Sequence, residues 1–276
     1  MAQRTQALAA GRIELWCSFY QEILGEVPRD LRSGGLPDAP LLARYRELMT
    51  PAELAQAARF YFERDRRRYI VTRALVRTVL SRYSDVAPAD WRFDKNEYGR
   101  PHIVNDSDAA RSLSFNITHT DGLIVLAVAS DRVLGVDAEN TQTRPVSTGL
   151  ADSFFAPEEA AALRGVDPAH WQRRFFEYWT LKESYIKARG MGLSIPLDKF
   201  SFQFPADDDV ELYVHPEQQD TASRWRFWQF SLEPSYVAAL CVERAADDPP
   251  SLVVKKAVPL ESANELDYAL LRASRT

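Results

Sequence analysis

Only two cysteines, Cys17 and Cys241, occur in 276 residues, far apart and outside any Cys-x-x-Cys or Cys/His cluster. This argues against a zinc site or a disulfide framework, and a reducing cytoplasm is the expected compartment. No run approaches the ~18 consecutive apolar residues that a membrane span requires. Met1 to Arg12 carries two arginines but no apolar stretch, so no secretory signal is expected there. Positive charge is not in excess. Against 34 Lys and Arg stand 39 Asp and Glu, a formal net charge of −5 and a poor start for a general nucleic-acid binder. Neither G-x-x-x-x-G-K-[ST] nor G-x-G-x-x-G is present, which removes the P-loop and Rossmann nucleotide sites.

What is present is an ordinary globular composition, 46% apolar and 26% charged, long enough for about two domain-lengths. Its charge is unevenly spread. Arg59 to Arg82 holds eight arginines against Glu63 and Asp65, a local +6. That is either a solvated helix face or a site for a phosphorylated ligand or acidic partner.

Local patterns give the elements. Residues 12–19 alternate as a strand, and Gly25–Pro40 reads as a loop. Thr50-Pro51-Ala52-Glu53 starts a helix running to about Phe62, with Thr as N-cap and Glu three residues on. A second helix is expected over 66–83, with Ile70, Ala74, Leu75, Val79 and Leu80 on one face. Glu97–Pro101 is a turn, 113–118 and 123–129 are strands, and Val133–Asp137 is expected to close a hairpin with the latter. Pro157–Leu163 is a helix stopped by Gly165. A long helix covers about 171–189 and ends at Gly190-Met191-Gly192, before strands at 200–204, 210–214, 225–230 and 236–242. Helices plus sheet thus occur twice, predicting an α+β fold of two similar halves, 1–130 and 131–246. Asp247–Pro250 marks the end of the second half, and 247–276 is an appendage, packed or free.

Two segments carry chemistry. In Val136-Asp137-Ala138-Glu139 the acids are two apart, so on a strand they share a face. Side by side they repel unless a positive charge lies between them. On the long helix Phe175, Phe176, Trp179 and Ile186 form an apolar arc, with Lys182 and Glu183 inside or at its edge. Ionised groups there cost several kcal/mol unless paired or metal-bound. A Glu183–Lys187 helix pair is the structural alternative, and it leaves Lys182 without a role. Taken together, Asp137, Glu139 and Glu183 offer an oxygen-rich pocket of the kind Mg²⁺ takes together with phosphate.

Gly135-Val136-Asp137-Ala138-Glu139, then Trp179-Thr-Leu-Lys-Glu-Ser-Tyr-Ile-Lys187 and Gly190-Met191-Gly192-Leu193, resemble the two signatures of Sfp-type 4'-phosphopantetheinyl transferases, G-[IV]-D-x-E and W-x-x-K-E-[AS]-[FY]-x-K-x-x-G-x-G-L. Gly99-Arg100-Pro101 and Phe115-Asn116-Ile117-Thr118-His119-Thr120 resemble two upstream elements in the expected order, and the match spans roughly 50–205. The resemblance implies two pseudo-symmetric α+β halves with the active site in the cleft between them. It implies transfer of the phosphopantetheine arm of coenzyme A to a serine of an apo acyl or peptidyl carrier protein, with release of 3',5'-ADP.

By the same resemblance, Asp137, Glu139 and Glu183 hold Mg²⁺, and Glu183 helps deprotonate the serine, directly or through a metal-bound water. Lys187 and Lys182 contact the diphosphate, Arg68 and His119 the 3'-phosphate, Arg100 and Pro101 line the adenine pocket, and Thr118 offers its hydroxyl to the phosphates. His119 also has the plainer reading of a hydrogen-bonded strand-end histidine. Thr118 and Arg100 stand where serine and lysine are commoner, and Glu53 and Gln56 where lysines often reach the 3'-phosphate. A monomer is expected, with no nucleic-acid or membrane partner. A coenzyme A and carrier-binding module without chemistry is the alternative, and a metal-dependent phosphohydrolase a third possibility.

Overall fold

Alternation in residues 12–19 puts Ile13, Leu15, Cys17 and Phe19 on one side of an extended chain, and the computed structural model holds the segment as strand β1 (Arg12–Phe19). The structure describes residues 7–9, 11–36, 39–143, 145–245 and 250–275. The readings of Met1–Arg12 and of Asp247–Pro250 fall largely outside them. Three short helices follow β1: α1 (Tyr20–Leu24), α2 (Pro40–Arg46) and α3 (Pro51–Ala58). The last begins with the expected reciprocal cap between Thr50 and Glu53. Then come long α4 (Glu63–Leu80), the hairpin β2 (Phe93–Lys95) and β3 (Pro101–Ile103), α5 (Asp108–Arg111), β4 (Leu113–His119) and β5 (Leu123–Ser130).

The second half repeats this order. It runs β6 (Leu134–Asn140), α6 (Thr148–Phe154), α7 (Pro157–Arg164), long α8 (Pro168–Arg189), the hairpin β7 (Phe200–Gln203) and β8 (Glu211–Val214), β9 (Trp225–Ser231) and β10 (Tyr236–Glu243). Pairing repeats too. β5 lies antiparallel between β1 and β4, as β10 does between β6 and β9. Residues 251–273 form three strands: β11 (Ser251–Val258) parallel to β1, β12 (Ser262–Glu265) beside β11, and β13 (Ala269–Ala273) beside β9. The tail therefore extends both sheets, to the orders β12-β11-β1-β5-β4 and β13-β9-β10-β6.

The two sheets share a core. Ile13, Leu15, Val125 and Ala127 of the first pack with Val136, Ala138, Phe230 and Leu240 of the second. Helix α4 covers the far face of the first sheet, packing with Trp16, Ile124 and Leu126. Helix α8 covers the second against Phe227, Ala239 and Cys241. A strand covered on both faces reads as continuous apolar sequence, which accounts for Leu123–Ala129. Among the described residues no helix is long and apolar enough to cross a membrane.

The expected hairpin between 123–129 and 133–137 is overturned. Both edges of β5 are occupied by β1 and β4, so β6 has no free edge there and pairs with β10 in the other sheet. The hairpin is β4–β5, turning through Thr120 to Gly122.

Candidate active site

Strands β4 and β6, each the edge of its own sheet, meet where the halves join. No ladder links them. Side chains at alternate positions of the β4 segment do so instead. Asn116 Oδ1 accepts from the Val136 amide at 2.9 Å, Thr118 donates to Asp137 Oδ1 at 2.9 Å, and Thr120 donates to Glu139 at 3.1 Å while accepting from the Asn140 amide at 3.1 Å. Period two puts Asn116, Thr118 and Thr120 on one side, and it puts Val136 and Ala138 in the core while Asp137 and Glu139 face away from it.

Helix α8 lies against the face of β6 that carries the acids. It comes this close because Gly135 has no side chain: a Cβ there would stand 2.2 Å from the Ser184 carbonyl and 2.3 Å from the Ala188 amide nitrogen. Gly190 ends the helix in the left-handed conformation at φ 67°. On the exposed edge of α8, Lys187 donates to Asp137 Oδ1 at 2.6 Å and to Thr118 Oγ1 at 3.0 Å. The ion pair of this region is therefore Lys187–Asp137 and not Glu183–Lys187. Asp137 Oδ2 is enclosed and has no donor among the described residues. Burial, then the neighbouring Asp137 charge, raises the Glu183 carboxyl above its ordinary range, against the pull of Lys187.

A cleft of about 450 Å³ opens between α4 and α8, and Asp137, Glu139, Glu183, Lys187, Thr118 and His119 line it opposite Asp65, Arg68 and Arg73. Ile117, Glu183 and Lys187 also border a second hollow of about 280 Å³, walled by Tyr98, Gly99, Arg100, Pro101 and Gly190. Arg68 holds Asp65 at 3.0 Å and is partly exposed. His119 is open to solvent at the cleft wall, yet crowding by protein atoms, then the charge of Arg68, holds its imidazole below the ordinary range.

Lys182 does not reach the diphosphate site that the resemblance gave it. Its ammonium is wholly buried, 2.6 Å from Glu159 and 2.7 Å from the Phe200 carbonyl, and lines neither hollow. It turns to the core side of α8, where the apolar arc placed it, and α7 supplies the countercharge. Arg100 borders the smaller hollow, but its guanidinium is engaged with the carbonyls of Lys187, Ala188 and Leu134, so it staples the first half to the end of α8. The Thr118 hydroxyl is committed to Asp137 and Lys187 instead of pointing freely to a ligand.

Most of the arginine run is paired internally. Arg66 and Arg67 hold Glu63, Arg73 and Arg77 hold Glu53, and Arg82 lies over Trp16. Sequence reasoning gave no role to Glu159, Asn116 or Thr120. The last two stand in the Phe115–Thr120 element, where the alternation Asn-x-Thr-x-Thr is their signal.

Among the described residues no three His, Cys, Asp or Glu side chains converge into a ready metal cage. The chemistry of the set nevertheless suits a hard divalent cation. It has an enclosed, donorless carboxylate oxygen on Asp137, a second acid in Glu183 held towards neutrality by burial, and Glu139 on the same strand face.

Comparison with known proteins gives concordant results. The family model of the 4'-phosphopantetheinyl transferase superfamily matches residues 133–241, and that of the 4'-phosphopantetheinyl transferase N-terminal region matches 37–131. The chain is 33% identical to 4'-phosphopantetheinyl transferase Sfp of Bacillus subtilis (strain 168) over 72% of its length and 84% of that protein. With 4'-phosphopantetheinyl transferase HetI of a Nostoc species it shares 34% over 69% of its own length and 76% of HetI. A further Bacillus subtilis 4'-phosphopantetheinyl transferase is 35% identical over 74% of this chain and 88% of the relative.

Proposed function

The chain belongs to the 4'-phosphopantetheinyl transferase superfamily, and from that premise we propose how its cleft carries out the transfer. The enzyme moves the 4'-phosphopantetheine arm of coenzyme A to a serine hydroxyl of an apo acyl or peptidyl carrier protein and releases 3',5'-ADP. One observation carries the assignment of roles: a single cleft is walled on one side by Asp137, Glu139 and Glu183 and on the other by Arg68, with Lys187 and His119 between. Acids alone would repel a diphosphate, and cations alone would hold it without activating a nucleophile.

Asp137, Glu139 and Glu183 would hold Mg²⁺. When bound, the ion supplies charge neutralisation at the diphosphate. Lys187 reaches the same charge from α8 and stabilises the departing 3',5'-ADP. Arg68 and His119 bind the 3'-phosphate, while Tyr98, Pro101 and the Gly190–Gly192 turn form the wall for the adenine. Glu183, on the cleft wall beside Asp137 and Lys187, accepts the proton the serine loses as its oxygen bonds to phosphorus. The phosphorus–oxygen bond to 3',5'-ADP breaks in the same displacement. Lys182 takes no part in binding and holds α8 in place. The reading has a monomer acting in the cytoplasm on coenzyme A and a carrier protein, with no nucleic-acid or membrane partner.

The test is transfer from coenzyme A to a panel of apo carrier proteins with Mg²⁺, following both the modified carrier and 3',5'-ADP. Equal amounts of the two products, abolished by a chelator, are expected. Coenzyme A binding without either product would overturn the reading, and nucleotide release without a carrier would point to hydrolysis.

A further inference from the structure

The Lys187 ammonium engages the carboxylate that a divalent cation would need most. Asp137 is 5% exposed, and its Oδ1 accepts from Lys187 at 2.6 Å and from Thr118 at 2.9 Å. Thr118 in turn accepts from Lys187 at 3.0 Å, so the ammonium is held by two partners. Oδ2 of the same carboxylate is the enclosed oxygen without a donor among the described residues. A cation taken up at Asp137 must therefore displace Lys187 or bind within a few ångströms of its charge. In a partly buried site that repulsion is weakly screened.

We propose that Lys187 and the divalent cation compete for Asp137, and that the diphosphate of the substrate relieves the competition by giving the ammonium another anion. This rests on the proposed metal and coenzyme A roles and adds an order to them. The protein alone binds the metal poorly, and metal and coenzyme A strengthen one another's binding. The exchange has space on the Lys187 side, whose side chain is 27% exposed at the cleft wall while the carboxylate it holds is 7% exposed. Linkage makes the coupling reciprocal.

Mn²⁺ binding, read by electron paramagnetic resonance of the free ion, tests this without any turnover. Wild type, Lys187→Gln and Lys187→Met are titrated with and without coenzyme A, each checked for folding by circular dichroism. The expected result is at least tenfold tighter Mn²⁺ binding by both variants than by wild type when coenzyme A is absent, and a smaller gain on adding it. Equal or weaker Mn²⁺ binding by the folded variants overturns the competition while leaving the metal assignment standing. Failure of every protein to bind Mn²⁺ even with coenzyme A overturns the metal assignment and this inference together. Should Lys187→Gln fail to fold, Lys187→Met gives the same comparison, and loss of both folds would show that the lysine is structural, which also overturns it.

Discussion

The ammonium of Lys182 and the carboxylate of Glu159 lie 2.6 Å apart, and neither side chain has any exposure to solvent. The other bonds of Glu159 go to the amides of Ala156 and Phe202, and Lys182 also stacks on the Phe200 ring at 4.3 Å. Burial pushes the acid up and the lysine down, while each charge opposes the shift of the other. One ion pair thus ties α7, α8 and β7 together directly behind Glu183. Removing one partner leaves a buried unpaired charge, so Lys182→Ala is expected to lose about 3–5 kcal/mol of stability. Urea unfolding will measure it, and Lys182→Met combined with Glu159→Gln should recover part of the loss.

Glu183→Gln keeps the shape of the side chain and removes its charge. Transfer rate should fall by about 10²–10⁴ if Glu183 takes the serine proton. The melting curve should stay close to wild type, because burial and the Asp137 charge already disfavour the ionised Glu183 side chain. An unchanged rate would remove it from the mechanism.

Gly135→Ala puts a methyl into the backbone of α8, where nothing can rotate away. The helix must move off β6, at a cost of about 1–3 kcal/mol. Because α8 carries Glu183 and Lys187 and β6 carries Asp137, kcat should drop more than the stability loss alone explains. Comparing the activity of the fully folded fraction with wild type decides this.

Arg68→Ala should raise the KM for coenzyme A by about 10–100-fold, the worth of a charge-assisted hydrogen bond. With 3'-dephospho-coenzyme A the same substitution should matter far less. Equal losses on both substrates would place Arg68 away from the 3'-phosphate.

Glu63 anchors the first turn of α4. Burial alone would raise its pKa, but hydrogen bonds from Arg66, Arg67 and the Gly34 amide outweigh burial and bring it down to about 2. A depressed carboxylate stabilises the fold above its unfolded pKa near 4.5, and that contribution is lost as pH falls towards 2. The loss should amount to about 3 kcal/mol. Stability measured from pH 6 to pH 2 should fall less steeply in Glu63→Gln, by roughly that amount.

What residues 1–276 determined by themselves was local. Strand β1 could be read to the residue, and β4, β5, β9, β10 and the long helices nearly so, because side-chain periodicity depends only on neighbours in the chain. The shared face of Asp137 and Glu139 followed from the same geometry. Pairing was a different matter. Whether β6 turned back on β5 depended on which edges β1 and β4 had already filled, and the tail strands were concealed by weak alternation over partly exposed positions. Lys182 and Lys187 are five residues apart on one helix, yet one faces Glu159 in the core and the other Asp137 in the cleft. Spacing put both cations on α8, but only packing against α7 on one side and β6 on the other decided which stayed at the cleft. A charge takes its role from the nearest opposite charge, and that partner is brought close only when the chain folds.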